Sequence, residues 1–473
     1  MRIVSTHFYR TGRALTLSLG VAACASVIGT LAWATPAMAA EPSSSATSDA
    51  TIAGKPDLKA SYDRAFQAMI QDVTNLDKTF AFAELAVQVG DYEGAIAAFE
   101  RMLLIDPDLP QVKTELGALY MRLGSYEIAE SYLNSALNAP DVPPAVQARI
   151  RTLLAEIARR LSPNRISGSL TLGARLQSNA DAGPDSPLVE VGGSLATLSN
   201  QFTSKRDWNA YALGQVNDIY DFGTQSGTTL ESTATFYGAD QEVQKDVNVG
   251  FVELTSGPRF KLFPGLIANA TIKPYIIGDI LTLGHAQDYW AGGGGLDVTK
   301  LLLPGVRLDL TSELRNRTFH DSSLLPLNDL QTGVQSYNRV ALEEQITSAL
   351  TLSQALAYTN NNAKLKSDAN REYSGILGLS YAYVPPVLGR AGDPWTSSLA
   401  VTRNLTNYAE PDPTIDPDIT REDHDWELDV ATTIPLTHSL SAVVSLGVFK
   451  RRSTLVNFRF TNRYGGVGLN WRF

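Results

Sequence analysis

From Ile166 to the C-terminus the chain carries one pattern: apolar and polar residues alternate one by one. In ISGSLTLGARLQS, Ile166, Gly168, Leu170, Leu172, Ala174 and Leu176 share one face. Ser167, Ser169, Thr171, Gly173, Arg175 and Gln177 share the other. GVRLDLTSELRNRT repeats the alternation more sharply. Val306, Leu308, Leu310 and Leu314 oppose Arg307, Asp309, Thr311, Glu313, Arg315 and Arg317. In EYSGILGLSYAYV, Tyr373, Tyr381 and Tyr383 bracket Leu377 and Leu379 on one face, as an interfacial aromatic girdle flanks an apolar band. HSLSAVVSLGVF adds Leu440, Ala442, Val444, Leu446 and Val448. A soluble β-sandwich also alternates, but length separates the two readings. These runs span about 10–14 residues, where a tilted membrane-crossing strand needs about 9–11 and an ordinary strand about 5–6.

The connections divide in the same way. Short, proline-bearing links (Phe263-Pro264-Gly265, Leu303-Pro304-Gly305, Ile434-Pro435-Leu436) alternate with long polar ones (Asn179 to Lys205, His320 to Gln335, Asn360 to Asn370, Ala409 to Asp423). Short turns at one end and long loops at the other are the pattern of an outer-membrane barrel, here of about 14 strands, give or take two.

Between residues 56 and 162 the period is helical, and two stretches superimpose at an offset of 34 residues. FAELAVQVGDYEGAIAAFERMLLIDP begins at Phe82 and LGALYMRLGSYEIAESYLNSALNAP at Leu116. Gly90 matches Gly124, Tyr92 matches Tyr126, Ala95 matches Ala129, and Phe99 matches Leu133. The period and residue types resemble the tetratricopeptide repeat. The two glycines would turn the chain between helices, and the alanines are small where helices cross. The large apolar residues would fill the layer between repeats. Pro107 and Pro140 cannot continue a helix. Flanking helices over Ser61–Val73 and Ala145–Leu161 read as caps of a short solenoid.

The first 39 residues read as a signal peptide: Arg2, Arg10 and Arg13, then a long apolar run, then Ala37-Met38-Ala39 as a cleavage site. An uncleaved anchor is the alternative. Val21-Ala22-Ala23-Cys24 also resembles a lipobox, which would place a lipid on the sole cysteine. Residues 40–55, rich in small polar side chains, read as a flexible linker. The net charge is −10, and removing the signal peptide takes away three arginines and no acid, leaving −13. An acidic exported chain is a poor partner for nucleic acid. The mean hydropathy is −0.08, and beyond the first 40 residues no run is long enough for a spanning helix.

Candidate chemistry is sparse. His285, His320, His424 and His438 make no metal-binding pair, and no GxSxG elbow appears. Ala291–Asp297 (AGGGGLD) is glycine-rich but opens no helix, so it reads as a bend or a crowded inner wall. His320-Asp321 and His424-Asp425 near the rims are the acid–base candidates of an enzyme reading. Asp412, Asp416 and Asp418 lack the spacing of a calcium loop. No cofactor or metal is expected. The most informative charges are Arg307, Asp309, Glu313, Arg315 and Arg317, read as the lining of a lumen. They serve either as a mutually neutralising wet wall or as a selectivity element. At the C-terminus Phe473, Trp471, Leu469, Val467 and Gly465 form one row facing lipid. The spacing of Tyr464, Gly466, Leu469, Trp471 and Phe473 resembles the signal read by the barrel-assembly machinery.

The expected fold is therefore α + β and multidomain: a signal peptide (1–39), a linker (40–55), an N-terminal α-solenoid of tetratricopeptide repeats (56–162), and an antiparallel transmembrane β-barrel (163–473). In order, size and tail, this resembles the surface lipoprotein assembly modifier family. The resemblance implies a periplasmic repeat domain that captures a protein substrate and a barrel, set in outer-membrane lipid, that passes it to the cell surface without catalysis. Polysaccharide-export porins also place repeats before a barrel, but with a longer array. A structural or receptor-like barrel, with the repeats as an assembly platform, is a further alternative.

Overall fold

The computed structural model describes residues 56–473 apart from 140–141, 200–202, 225, 263–268 and 386–392. The expected signal peptide, the linker, Cys24 and Pro140 lie outside the described residues, as does the link at 263–265. The described chain divides into two compact units between Ser162 and Pro163.

The first unit is built of six helices: α1 (Pro56–Gln71), α2 (Leu76–Val89), α3 (Tyr92–Ile105), α4 (Pro110–Arg122), α5 (Tyr126–Leu137) and α6 (Pro144–Leu161). The first cap helix begins and ends earlier than its pattern suggested. Helix starts follow from local chemistry. The Asn75 side chain accepts from the Lys78 N–H, and Asp91 accepts from the Gly94 N–H at 2.9 Å. Pro110 and Pro144 instead open α4 and α6, where a missing N–H costs nothing. Helix ends need a left-handed residue, and Gly90 (φ 87°) and Gly124 (φ 76°) supply it. The next residue then closes the same bond in both repeats: Asp91 N–H to Ala86 O and Ser125 N–H to Tyr120 O, each 2.9 Å. The matched positions fill the core. Ala95, Ala129, Phe99 and Leu133 are all buried, with Phe82 and Leu116 stacked beside them.

The second unit is a closed antiparallel barrel of fourteen strands. They are β1 (Asn164–Gln177), then, after a small hairpin of β2 (Leu188–Val191) and β3 (Ser194–Thr197), β4 (Asp207–Asp221), β5 (Thr229–Gln241), β6 (Val249–Lys261), β7 (Ala270–Leu283), β8 (Ala286–Leu303), β9 (Val306–Phe319), β10 (Gly333–Gln345), β11 (Leu350–Asn361), β12 (Asn370–Tyr383), β13 (Trp395–Tyr408), β14 (Glu422–Pro435), β15 (Leu440–Ser453) and β16 (Phe460–Arg472). Each pairs with its chain neighbour, and β16 closes on β1 from Ser169↔Arg472 to Gln177↔Tyr464. Closure removes every sheet edge along this length, which a barrel in lipid requires.

The outward face is the apolar one. Ile276, Leu314, Leu356, Leu377, Leu446 and Val467 all stand exposed on it. Aromatic residues ring this band. Tyr220, Phe260, Tyr381 and Trp471 lie near the end where β1 begins and β16 finishes, and Trp208, Trp290, Tyr373 and Trp426 lie near the far end. Two connections depart from the short–long alternation. Gly284 and His285, both at positive φ, join β7 to β8 in a tight turn at the long-loop end. At the short-turn end, eleven residues of sequence separate Tyr383 of β12 from Trp395 of β13. The glycine run sits inside β8. A Cβ on Gly295 would collide with the Tyr275 ring, so that glycine lets an aromatic side chain lie flat on the inner wall.

Candidate functional site

Alternation sends every second side chain inward, so the wall's chemistry follows from strand register. Across β5–β10 the inner face is a belt of ion pairs. Arg259 bonds Glu231 at 2.8 Å and Asp297 at 2.9 Å. Lys273 reaches Glu231 at 3.6 Å. Arg307 bridges Asp309 (2.9 Å) and Glu343 (3.1 Å). Arg315 contacts three carboxylates: Glu253 and Asp279, each at 2.9 Å, and Glu313. The Tyr275 hydroxyl donates to Glu313 at 2.6 Å. Four of the five charges named from the sequence thus lie in this belt, Arg307 with Asp309 and Arg315 with Glu313. Arg317 also faces inward but stands apart: its guanidinium lies over the Phe319 ring, and its Nε has no hydrogen-bond partner.

A second inner cluster, on β14–β16 and β1, was not anticipated. Arg451 is clamped by Asp425 (2.6 Å) and Asp423 (3.6 Å), and Asp423 also holds Arg421 at 2.6 Å. Glu427 accepts from the Tyr464 hydroxyl at 2.8 Å, and Asp429 accepts from it as well. Arg175 lies buried between the rings of Tyr211 and Tyr464, at 5.1 and 5.4 Å, and so bridges the β1–β16 seam. The signal was present in EDHDWELD, where Asp423, Asp425, Glu427 and Asp429 occupy every second position. Tyr464 and Gly466 of the terminal signal therefore face inward. Leu469, Trp471 and Phe473 face out, the last two rings 4.8 Å apart.

Long loops fold over the far mouth. Leu325, from the β9–β10 loop, packs on Phe251, Leu281, Leu283, Tyr289 and Phe319. Asn328 ties that loop to Asp288 through a 2.8 Å bond. Ala182, Ile415 and Phe458 from three other loops gather around Phe449 and Phe460. The β2–β3 hairpin is pinned by reciprocal bonds between the Glu190 backbone and the Asn457 side chain (2.8 and 2.9 Å).

The histidine pairs do not assemble. His424 points outward, with Nδ1 3.0 Å from Arg403, whereas Asp425 points inward onto Arg451. Asp321 accepts from the Asp329 N–H. Asp412 and Asp416 spend their carboxylates on N–H groups of their own loop. Among the described residues no group of three His, Cys, Asp or Glu side chains is arranged to hold a metal ion. No described helix is long and apolar enough to cross a membrane.

In the repeat unit the polar features are few. Tyr62 donates to Asp91 at 2.7 Å, and that carboxylate, aided by burial, pushes the phenol up to about 12. Tyr120 and Tyr132 stack at 5.6 Å, and both donate to Glu100. Burial and the Glu100 carboxylate push Tyr120 up to about 12.

Residues 86–157 match the tetratricopeptide repeat family. Solved structures with a similar segment include the Yersinia enterocolitica type III secretion chaperone SycD in complex with a peptide of the translocator YopD. It is 16% identical, covering 22% of this chain and 81% of that one, with a TM-score of 0.21. PcrH in complex with the chaperone-binding region of PopD is 20% identical, over 22% of this chain and 80% of that one, also at 0.21. The first repeat domain of Spaghetti (RPAP3) bound to an HSP90 peptide is 14% identical, over 21% and 80%, at 0.20. No protein of curated function matches the chain. Tetratricopeptide repeats followed by a large closed barrel are consistent with an outer-membrane protein.

Proposed function

We propose that this chain is an outer-membrane export protein of the surface lipoprotein assembly modifier type. Its repeats stand in the periplasm and hold a substrate or a partner that handles one. Its barrel passes that substrate, a surface lipoprotein or a secreted protein, to the cell surface. The observation that carries the reading is the barrel's inverted wall: apolar outside, hydrogen-bonded and charged within. Such a wall suits lipid on one side and a polar passenger on the other. A helical solenoid supplies an extended concave surface that grips by shape and needs no cofactor, and no catalytic step is invoked.

The test is removal of residues 58–161 in cells. The barrel should still insert, seen as a heat-modifiable band in outer-envelope fractions, while the surface protein carried by this system should fall to background. Unchanged export would refute the role given to the repeats. Deleting the whole gene and comparing surface proteins with surface glycans separates protein cargo from polysaccharide, since loss of a glycan alone would favour the porin reading.

A further inference from the structure

The outward face of the barrel should carry few charges, because a cation facing lipid is tolerated only near an interface. On β4–β11 that rule holds at the far end: among the described residues, the outward positions of that half contain no lysine or arginine. On β12–β16 it is broken repeatedly. Arg371, Arg403, Lys450, Arg452 and Arg463 all stand on the outward face there, with His424 among them.

Register places them side by side. Arg403 pairs with Trp426, Trp426 with Lys450, His424 with Arg452, and Lys450 with Thr461, two residues before Arg463. With strands about 4.8 Å apart and alternate residues about 7 Å apart, the core of this patch spans about 15 Å. The Arg403 guanidinium lies over the Trp426 ring at 4.7 Å. Arg371, Lys450, Arg452 and Arg463 are exposed, and no carboxylate among the described residues forms an ion pair with them. The nearby acids are Glu422 on the same face and Asp185, which accepts from Thr461. Directly below the patch the wall turns apolar, through Leu428, Leu446 and Val467.

We propose that this patch is a binding site for a phosphorylated glycolipid of the outer leaflet. A cluster of unpaired cations just above an apolar wall matches an amphiphile with phosphates on its headgroup and acyl chains beneath. Arginines can hold phosphate oxygens two at a time. The apolar wall beneath is why the ligand is a lipid rather than an acidic protein. The assignment to the outer leaflet rests on the orientation proposed above. Labelling of a Thr414→Cys variant on intact cells reports that orientation separately, and the binding measurement uses no export cargo.

The test uses the full chain purified in detergent. The temperature at which the folded barrel loses its fast gel mobility is followed as bis-phosphorylated lipid A is titrated into the micelles. The midpoint should rise and saturate with this lipid, but not with the same lipid dephosphorylated and not with inorganic phosphate. In a Lys450→Gln, Arg452→Gln, Arg463→Gln variant the half-effect concentration should rise roughly a hundredfold, from about fivefold per cation. If that variant does not fold, Lys450→Gln alone should show about a fivefold increase. An equal response to the dephosphorylated lipid or to inorganic phosphate overturns the proposal, and so does a variant that responds like the parent.

Discussion

The two units of this chain use the same side chains under opposite rules. In the repeats, Leu133 is 0% exposed and charges sit outside: the Arg149–Glu115 pair lies on the surface. In the barrel, Leu356 is 70% and Ile276 72% exposed, while Asp423 and Arg451 are 1% and 5% exposed. The first pattern is that of a fold in water, where burial of apolar surface drives packing. An outer face of leucine and isoleucine makes sense only against hydrocarbon, and charge then collects where a polar interior can pair it. The burial pattern alone distinguishes the two solvents.

The largest test of that contrast is a charge deletion in each unit. Arg451→Ala strands Asp425 in the wall, while Asp423 keeps Arg421, and removing one partner of a buried pair costs about 3–5 kcal/mol. The heat-modifiable gel shift should move to a markedly lower temperature. Adding Asp425→Asn should recover part of the loss. Arg149→Ala breaks an exposed pair and should cost no more than about 1 kcal/mol, read from the helical circular dichroism signal in denaturant. Equal effects in the two units would break the comparison.

Leucine gives the next test, with its sign reversed. Leu133→Ala opens a cavity between helices and should cost about 2–5 kcal/mol of repeat stability. Leu314→Ala faces lipid, whose chains close over the vacated space, and should change barrel stability by about 1 kcal/mol or less. Leu314→Arg should cost about 2–4 kcal/mol if the position lies at membrane mid-depth. An arginine tolerated at Leu314 would argue against lipid on that face.

These tests also mark what was legible beforehand. Period-two alternation assigns each residue to a face, so Leu314 outward and Arg315 inward follow from local pattern alone. The 34-residue offset likewise places Leu133 and Phe99 in equivalent layers. Which inward residues meet is a different matter. Asp425 reaches Arg451 because β14 and β15 pair in one register, and Arg175 reaches Tyr464 only because the first strand closes on the last. Those contacts are set by nonlocal pairing, which a one-residue slip would undo. The loops folded over the mouth were missed for the same reason. Leu325 reads as an ordinary loop leucine until Tyr289 and Phe319 stand beside it. The outward cations are hard to read from sequence because no strand carries more than two of them, and they become a patch only across β12–β16.

The smallest effect belongs to the repeats and has a pH signature. Tyr62 on α1 donates to Asp91, which also caps α3, so one carboxylate joins the cap helix to the first repeat. The folded phenol titrates at about 12, above its ordinary value of 10.0, first because Asp91 accepts its proton and then because of burial. A folded value above the unfolded one means the contribution is complete below pH 10 and disappears as the pH rises through 12. The group is only partly buried, so the hydrogen bond should contribute about 1 kcal/mol or less. Tyr62→Phe should therefore lower the denaturant midpoint of the helical signal slightly at pH 8, and the gap from the parent should shrink to nothing as the pH approaches 12. The barrel's gel shift should not respond to this substitution at all. A gap that stays constant with pH would mean that the ring's packing, rather than its proton, links the two helices.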